Sequence, residues 1–224
     1  MRNQVMSVTG HKTRKRSKSV RELYHMDLFE KLPKDAIFGM PIIDSFQGTI
    51  PTKLVPFNIA MAERDYNCTV HFYINDGLFM QILRRPLKYL DILHRFDSVI
   101  APDFSQYMDF PYPLRIYNSF QNKAFAAFLQ HNGVDVISNV TWSDPASYAY
   151  SFAGLPKNSV VAINCNGIKK HDFSSYLWSK GYQTALATLQ PKLIIRYGTK
   201  MPDEREDISM YFSNERLMRL KYGR

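Results

Sequence analysis

The stretch FDSVIAPDFSQYMDFPYPLRIYNSFQNKAFAAFLQHNGVDVISNVTWSD, Phe96–Asp144, decides the fold class. It opens with a short apolar run, Ser98–Ala101, that ends at Pro102-Asp103. An amphipathic segment follows over Leu114–Asn132, with Tyr117, Phe120, Ala124 and Phe128 at helical spacing and Gly133 placed to stop it. A second apolar run, Val134–Trp142, ends at Ser143-Asp144. This is a strand–helix–strand unit with an aspartate beyond each strand.

The same rhythm extends outward in both directions. Upstream, Leu54–Ala60 reads as a first strand, with Pro56 assigning it to an edge. Val70–Asn75 reads as a second strand, and Pro86 opens a helix marked by Leu87, Leu90 and Leu93. Downstream, Asp144-Pro145 opens a short helix, Ser159–Asn164 is a strand, a helix runs from Asp172 to about Leu189, and Leu193–Tyr197 is the last strand. Gly181 inside that helix costs about 1 kcal/mol against alanine, so close packing is expected there. About six short, continuously apolar strands alternate with helices, which predicts an α/β fold of repeated βα units with a mainly parallel sheet. Polar residues close each strand and no glycine-rich phosphate turn appears. Both features favour an incomplete barrel over the alternative, an open doubly wound sheet.

Four regions follow from composition. Residues 1–21 hold seven basic residues, among them Arg14, Lys15, Arg16 and Lys18, and no acid; the other 203 residues hold 22 basic against 20 acidic. The +9 charge therefore belongs to an arm, expected to be disordered and suited to nonspecific nucleic-acid contact, or simply solvated. Residues 22–53 read as a short helix over Val20–Leu32 and a loop wrapped over the body, 54–200 as the α/β domain, and 201–224 as a charged tail or appended helix. No apolar run approaches the roughly 20 residues of a membrane helix. No apolar stretch follows the N-terminal charges, so neither a signal peptide nor a membrane partner is expected. Cys68 and Cys165 read as buried thiols, and the default location is the cytoplasm, here of a bacterial host cell.

In parallel α/β folds ligands bind at the carboxyl ends of the strands. Asp76, Asp103 and Asp144 fall there as candidate catalytic residues. If they converge they can hold Mg²⁺ or Mn²⁺, or divide into an acid and a base. Each also suits a turn or helix cap. Candidate ligand-binding residues are Asn118 and Asn122, four apart on one helix face, with Trp142, Asn164, Asn166 and Lys169. The alternatives are a solvated helix surface for the amides, core packing for the aromatic and a surface charge cluster for the lysine. The motifs HExxH, Walker A, GxGxxG and GxSxG are absent from the chain.

The blocks VHFYIND (Val70–Asp76), FDSVIAPDFSQY (Phe96–Tyr107), YNSFQNKAF (Tyr117–Phe125), VISNVTWSD (Val136–Asp144), LPKNSVVAIN (Leu155–Asn164) and RYG (Arg196–Gly198) occur in this order. Over Leu54–Gly198 the chain resembles a bacterial and phage family known as a domain of unknown function numbered in the four-thousands. The resemblance implies a phage or mobile-element setting and no particular activity. It also leads one to expect an acid where Asn75 stands and arginines where Gln121 and Lys123 stand. Three functions remain in view: nucleic-acid or nucleotide binding or processing at the strand ends; a barrel-like hydrolase or transferase using Asp103 and Asp144; and a non-enzymatic host-interaction protein.

Overall fold

The computed structural model describes residues 19–63, 65–166, 168 and 172–213. Arg14, Lys15, Arg16, Lys18 and Lys169 lie outside them. The described residues fall into two compact units, divided between Lys31 and Leu32. In the first, α1 (Val20–Leu23) begins with a capping box. The Glu22 N–H donates to the Ser19 hydroxyl at 3.3 Å, and the Ser19 N–H donates to the Glu22 carboxylate at 2.6 Å. His25, left-handed at φ 53°, separates α1 from α2 (Met26–Phe29), so the single helix expected here is two short ones.

Among the described residues the second unit holds a seven-stranded, all-parallel sheet: β1 (Leu54–Pro56), β2 (Thr69–His71), β3 (Ser98–Ile100), β4 (Val136–Asn139), β5 (Val160–Asn164), β6 (Leu193–Tyr197) and β7 (Ser209–Phe212). The strands neighbour one another in chain order, from the Val55↔Val70 register of β1 and β2 to the Arg196↔Tyr211 register of β6 and β7. Strand order that never reverses is the barrel order, not that of a doubly wound sheet, which turns back at a switch point. The sheet curls into a half-barrel. The incomplete-barrel expectation therefore holds, and Pro56 lies on an edge strand.

The strands expected over Val70–Asn75 and Val134–Trp142 end earlier, at His71 and Asn139, and two elements differ in kind from expectation. After Pro56 the chain turns into α3 (Phe57–Glu63), because Phe57 and Ala60 are buried at helical spacing while Ile59 between them is exposed. Helices α4 (Gln81–Arg84), α5 (Pro86–Leu93) and α7 (Tyr148–Phe152) also lie between strands. The region expected as a charged tail or helix supplies β7 instead. Its apolar-aromatic core, SMYF, is flanked by the charges that disguised it.

Strand alternation builds two cores. On the concave face Ile100, Ile137, Ala162 and Ile195 pack with Tyr73, Tyr197 and Phe46. On the convex face Val161, Ile163 and Ile194 pack beneath Trp178, Tyr182, Ala185 and Leu189 of α8 (Asp172–Leu189). The loop before β1 covers the amino ends of the strands. The Phe46 N–H donates to the Ser159 hydroxyl at 3.0 Å, just before β5. Asp44 exchanges hydrogen bonds of 2.7 and 3.1 Å with Gln130, near the end of α6 (Tyr112–His131). That mouth is filled by the wrap, which leaves the carboxyl ends open. Both cysteines are buried thiols, and among the described residues no helix is long and apolar enough to cross a membrane.

Candidate ligand-binding cleft

A cleft of about 770 Å³ opens at the carboxyl ends of the strands. Its walls come from the segments after β2 (Tyr73–Asp76), β3 (Asp103, Ser105–Met108), β4 (Asn139–Ser143) and β5 (Asn164, Asn166, Ile168), and from Ser174, Leu177 and Trp178 of α8.

Asp103 sits where β3, β4 and β5 meet. Its two carboxylate oxygens accept from the Asn139 amide at 2.9 Å and from the Asn164 amide at 3.4 Å. Both amides are themselves oriented. The Tyr73 hydroxyl donates to Asn139 Oδ1 at 3.1 Å, and the Asn166 N–H donates to Asn164 Oδ1 at 2.9 Å. Burial pushes the Asp103 carboxyl above its ordinary range against the pull of Asn139 and Asn164, and the negative charge of Asp76 adds to the rise.

Asp76 faces the same cleft, held at both oxygens by Ser105: the backbone N–H and the hydroxyl each donate at 3.0 Å. Asn75, at the position where an acid was expected, caps the following turn by accepting from the Gly77 N–H at 2.9 Å. Asn118 and Asn122 do not line the cleft. They are 8% and 5% exposed and pin its floor loop from behind. Asn118 donates to the Ser105 carbonyl at 2.6 Å, while Asn122 accepts from the Phe104 N–H at 2.7 Å and donates to its carbonyl at 3.3 Å.

Asp144 does not join the other two acids. It forms an ion pair with Arg115 of α6 at 2.8 Å, outside the cleft wall, and its side chain makes no helix cap. The pairing lifts the Arg115 guanidinium above its ordinary value. Two carboxylates therefore meet at the strand ends, not three, and among the described residues no group of three or more His, Cys, Asp or Glu gathers to hold a metal. Two carboxylates suit a Mg²⁺ or Mn²⁺ shared with a ligand's own oxygens better than a metal cage.

The far wall is aromatic. The Trp142 and Trp178 rings lie 6.3 Å apart at 42°. Gly181 explains itself here: a Cβ at that position would stand 2.0 Å from Trp142 Nε1, so the helix can approach the indole only without a side chain. Gly198, at φ 98°, lies where a Cβ would be 2.5 Å from Asn166 Oδ1, which accounts physically for the glycine of the RYG block. Tyr73, Asn139, Gln106 and Trp178 were not singled out from sequence. Asn139 carried a signal, an amide inside the apolar run VISNV, but its partner Asp103 is 36 residues away in the chain.

The family model for a domain of unknown function, DUF4417, matches residues 32–214. The chain belongs to that family. The DUF4417 chain is also similar to the Gene 1 proteins of Mycobacterium phages D29 and L5, at 28% identity over 156 residues in each case. Those residues are 66% of this chain, 58% of the D29 protein and 68% of the L5 protein, so the match spans less than two thirds of the D29 relative. No solved structure matches the chain.

Proposed function

We propose that the cleft binds a base-bearing ligand, a nucleotide or a base presented by a nucleic-acid strand, and that Asp103 exchanges a proton with it. The observation that carries this reading is the Asp103 carboxyl held between the Asn139 and Asn164 amides beside a wall of two indoles. Trp142, half-buried and backed by the buried Trp178, offers a stacking face of the kind worth about 1–3 kcal/mol per base, and the carboxyl and amides offer edge hydrogen bonds. Tyr107, lining the cleft yet exposed, extends the aromatic surface outward. The basic arm, with Arg14, Lys15, Arg16 and Lys18, adds salt-dependent affinity for a strand.

The chain has two tryptophans, and both line the cleft, so tryptophan emission, excited apart from the tyrosines, reports on this site. Titration with nucleosides, nucleotides and single-stranded oligonucleotides should quench it. Asp103→Asn should weaken that binding by at least about tenfold, the value of one charged hydrogen bond. Deleting residues 1–21 should lower oligonucleotide affinity and its salt dependence while sparing mononucleotides. A silent titration, or unchanged binding by Asp103→Asn, overturns the reading.

One observation favours a hydrolase or transferase as the second reading. Asp76 and Asp103 face one cleft, and the charge of one raises the other. In that case Asp76, not Asp144, is the partner of Asp103. Turnover lost in both Asp76→Asn and Asp103→Asn but kept in a folded Asp144→Asn separates it from simple binding.

A further inference from the structure

Behind the indole wall lies a buried charge pair that the cleft chemistry leaves unused. Arg196 of β6 points to the convex face and pairs with Glu204; their side chains are 2% and 0% exposed. The guanidinium also donates to the Ile163 carbonyl at 2.8 Å and to Cys165 Sγ. It lies 5.1 Å from the centre of the Trp178 ring, whose other neighbours include Tyr182, stacked at 4.7 Å and 15°. Glu204 accepts from the Met201 N–H at 2.9 Å, and the next residue, Arg205, donates its N–H to the Tyr182 hydroxyl at 3.0 Å. The segment entering β7 is thus tied at one point to β5, β6 and the back of Trp178.

Desolvating two charges costs as much as their attraction returns, and well-packed apolar residues often do as well or better for stability. What the planar, forked guanidinium does and an apolar group cannot is hold several partners in one fixed arrangement. We propose that the Arg196–Glu204 pair is a positioning device that fixes the buried Trp178 and, through its 6.3 Å contact with the half-buried Trp142, the indole wall of the cleft. This rests on the reading that the cleft binds a ligand there. Arg196 touches no ligand; it acts through the indole.

Two variants test it. Arg196→Lys keeps the charge and removes the plane and the fork. The double variant Arg196→Met with Glu204→Met removes both charges and keeps comparable volume. Each is measured in two ways: tryptophan emission in a Trp142→Phe background, where Trp178 is the sole indole, and affinity, in the otherwise native chain, for whichever of the nucleosides, nucleotides or oligonucleotides binds the native protein. The double variant should melt close to the native protein. Both variants should shift the Trp178 emission maximum and lose at least tenfold in affinity. Native emission with native affinity in the folded double variant overturns the proposal, and so does native behaviour in Arg196→Lys. If the native protein binds none of the probes, the base-binding reading fails by itself, and the Trp178 emission of Arg196→Lys still decides whether the pair sets the indole.

Discussion

Strands β3 and β4 are neighbours, and each is followed within five residues by an aspartate at the open end of the half-barrel. Their chemistry nevertheless diverges. Asp103 turns into the cleft, takes two neutral amides as partners and has its carboxyl pushed up by burial. Asp144 turns out of it and takes a cation, Arg115. One acid is buried where its charged form is disfavoured; the other has its charge offset by a partner. Identical residues at equivalent positions of successive βα units are thus divided into a candidate site and a structural tie, and the partner makes the division.

The sharpest way to break this comparison is to remove the tie. Arg115 is 9% exposed at its side chain and Asp144 24%, so Asp144→Ala strands a nearly buried cation. The expected loss is about 3 kcal/mol, below the full value for a buried pair because Asp144 keeps some water. Urea unfolding measures it. A loss under about 0.5 kcal/mol would make Asp144 as free as a cleft residue and erase the distinction.

Two turns further along α6 from Arg115, Lys123 shows the same cation chemistry without a bonded acid. Its ammonium donates to the Ser119 hydroxyl at 2.6 Å and the Tyr150 carbonyl at 3.2 Å, and burial pushes it down to about 7 while Asp35 pulls it partly back. A lowered lysine value means the unfolded chain binds the extra proton between about pH 10.5 and 7. The stability this group allows is complete above 10.5 and is lost as pH falls toward 7. Lys123→Met should therefore stabilise at pH 7 and below, by about 2 kcal/mol after the lost hydrogen bonds, and flatten the pH dependence above it. Thermal melts at pH 6 and 9 read both effects. Equal destabilisation at both values would refute the assignment.

Gly181→Ala tests the indole wall that Asp103 faces. Helix propensity favours the change by about 1 kcal/mol, but the new methyl overlaps Trp142, and overpacking of this kind costs about 1–3 kcal/mol. A net loss of about 1 kcal/mol with altered tryptophan emission is expected. Stabilisation with native emission would show that the wall yields freely.

What could be read from sequence was local or repeated. Asp172–Leu189 is periodic enough that its helix is found at the expected ends, and the alternation of short apolar runs with helices predicts the parallel order. The edge that carries the acids follows from the fold class. The roles of those acids do not. Asp103 and Asn139 are 36 residues apart, and Asp144 and Arg115 are 29 apart, and no local pattern encodes which partner a carboxylate meets. Asn118 and Asn122 share a helix face, as their spacing requires, but whether that face meets solvent, ligand or a loop backbone depends on where the β3 loop folds back. Strand β7 was hidden because four residues are too short to outweigh the charges around them.

Asp103→Asn has the smallest expected effect on stability, and its sign is the informative part. A raised carboxyl value means that ionising Asp103 is harder in the folded chain than in the unfolded one. The stability it contributes is fully present below pH 3.8 and is lost as pH rises through the folded value. Above that range the native residue is therefore a liability, and the asparagine variant should match or exceed the native stability. It loses the proton chemistry while keeping the shape. Opposite signs for Asp103→Asn and Asp144→Ala at pH 7 are what the comparison requires, because one substitution relieves an uncompensated charge and the other creates one. If Asp103→Asn instead destabilises by 2 kcal/mol or more, its bonds to Asn139 and Asn164 outweigh its burial. Asp103 is then a structural clamp between strand ends, and the division between the two acids collapses.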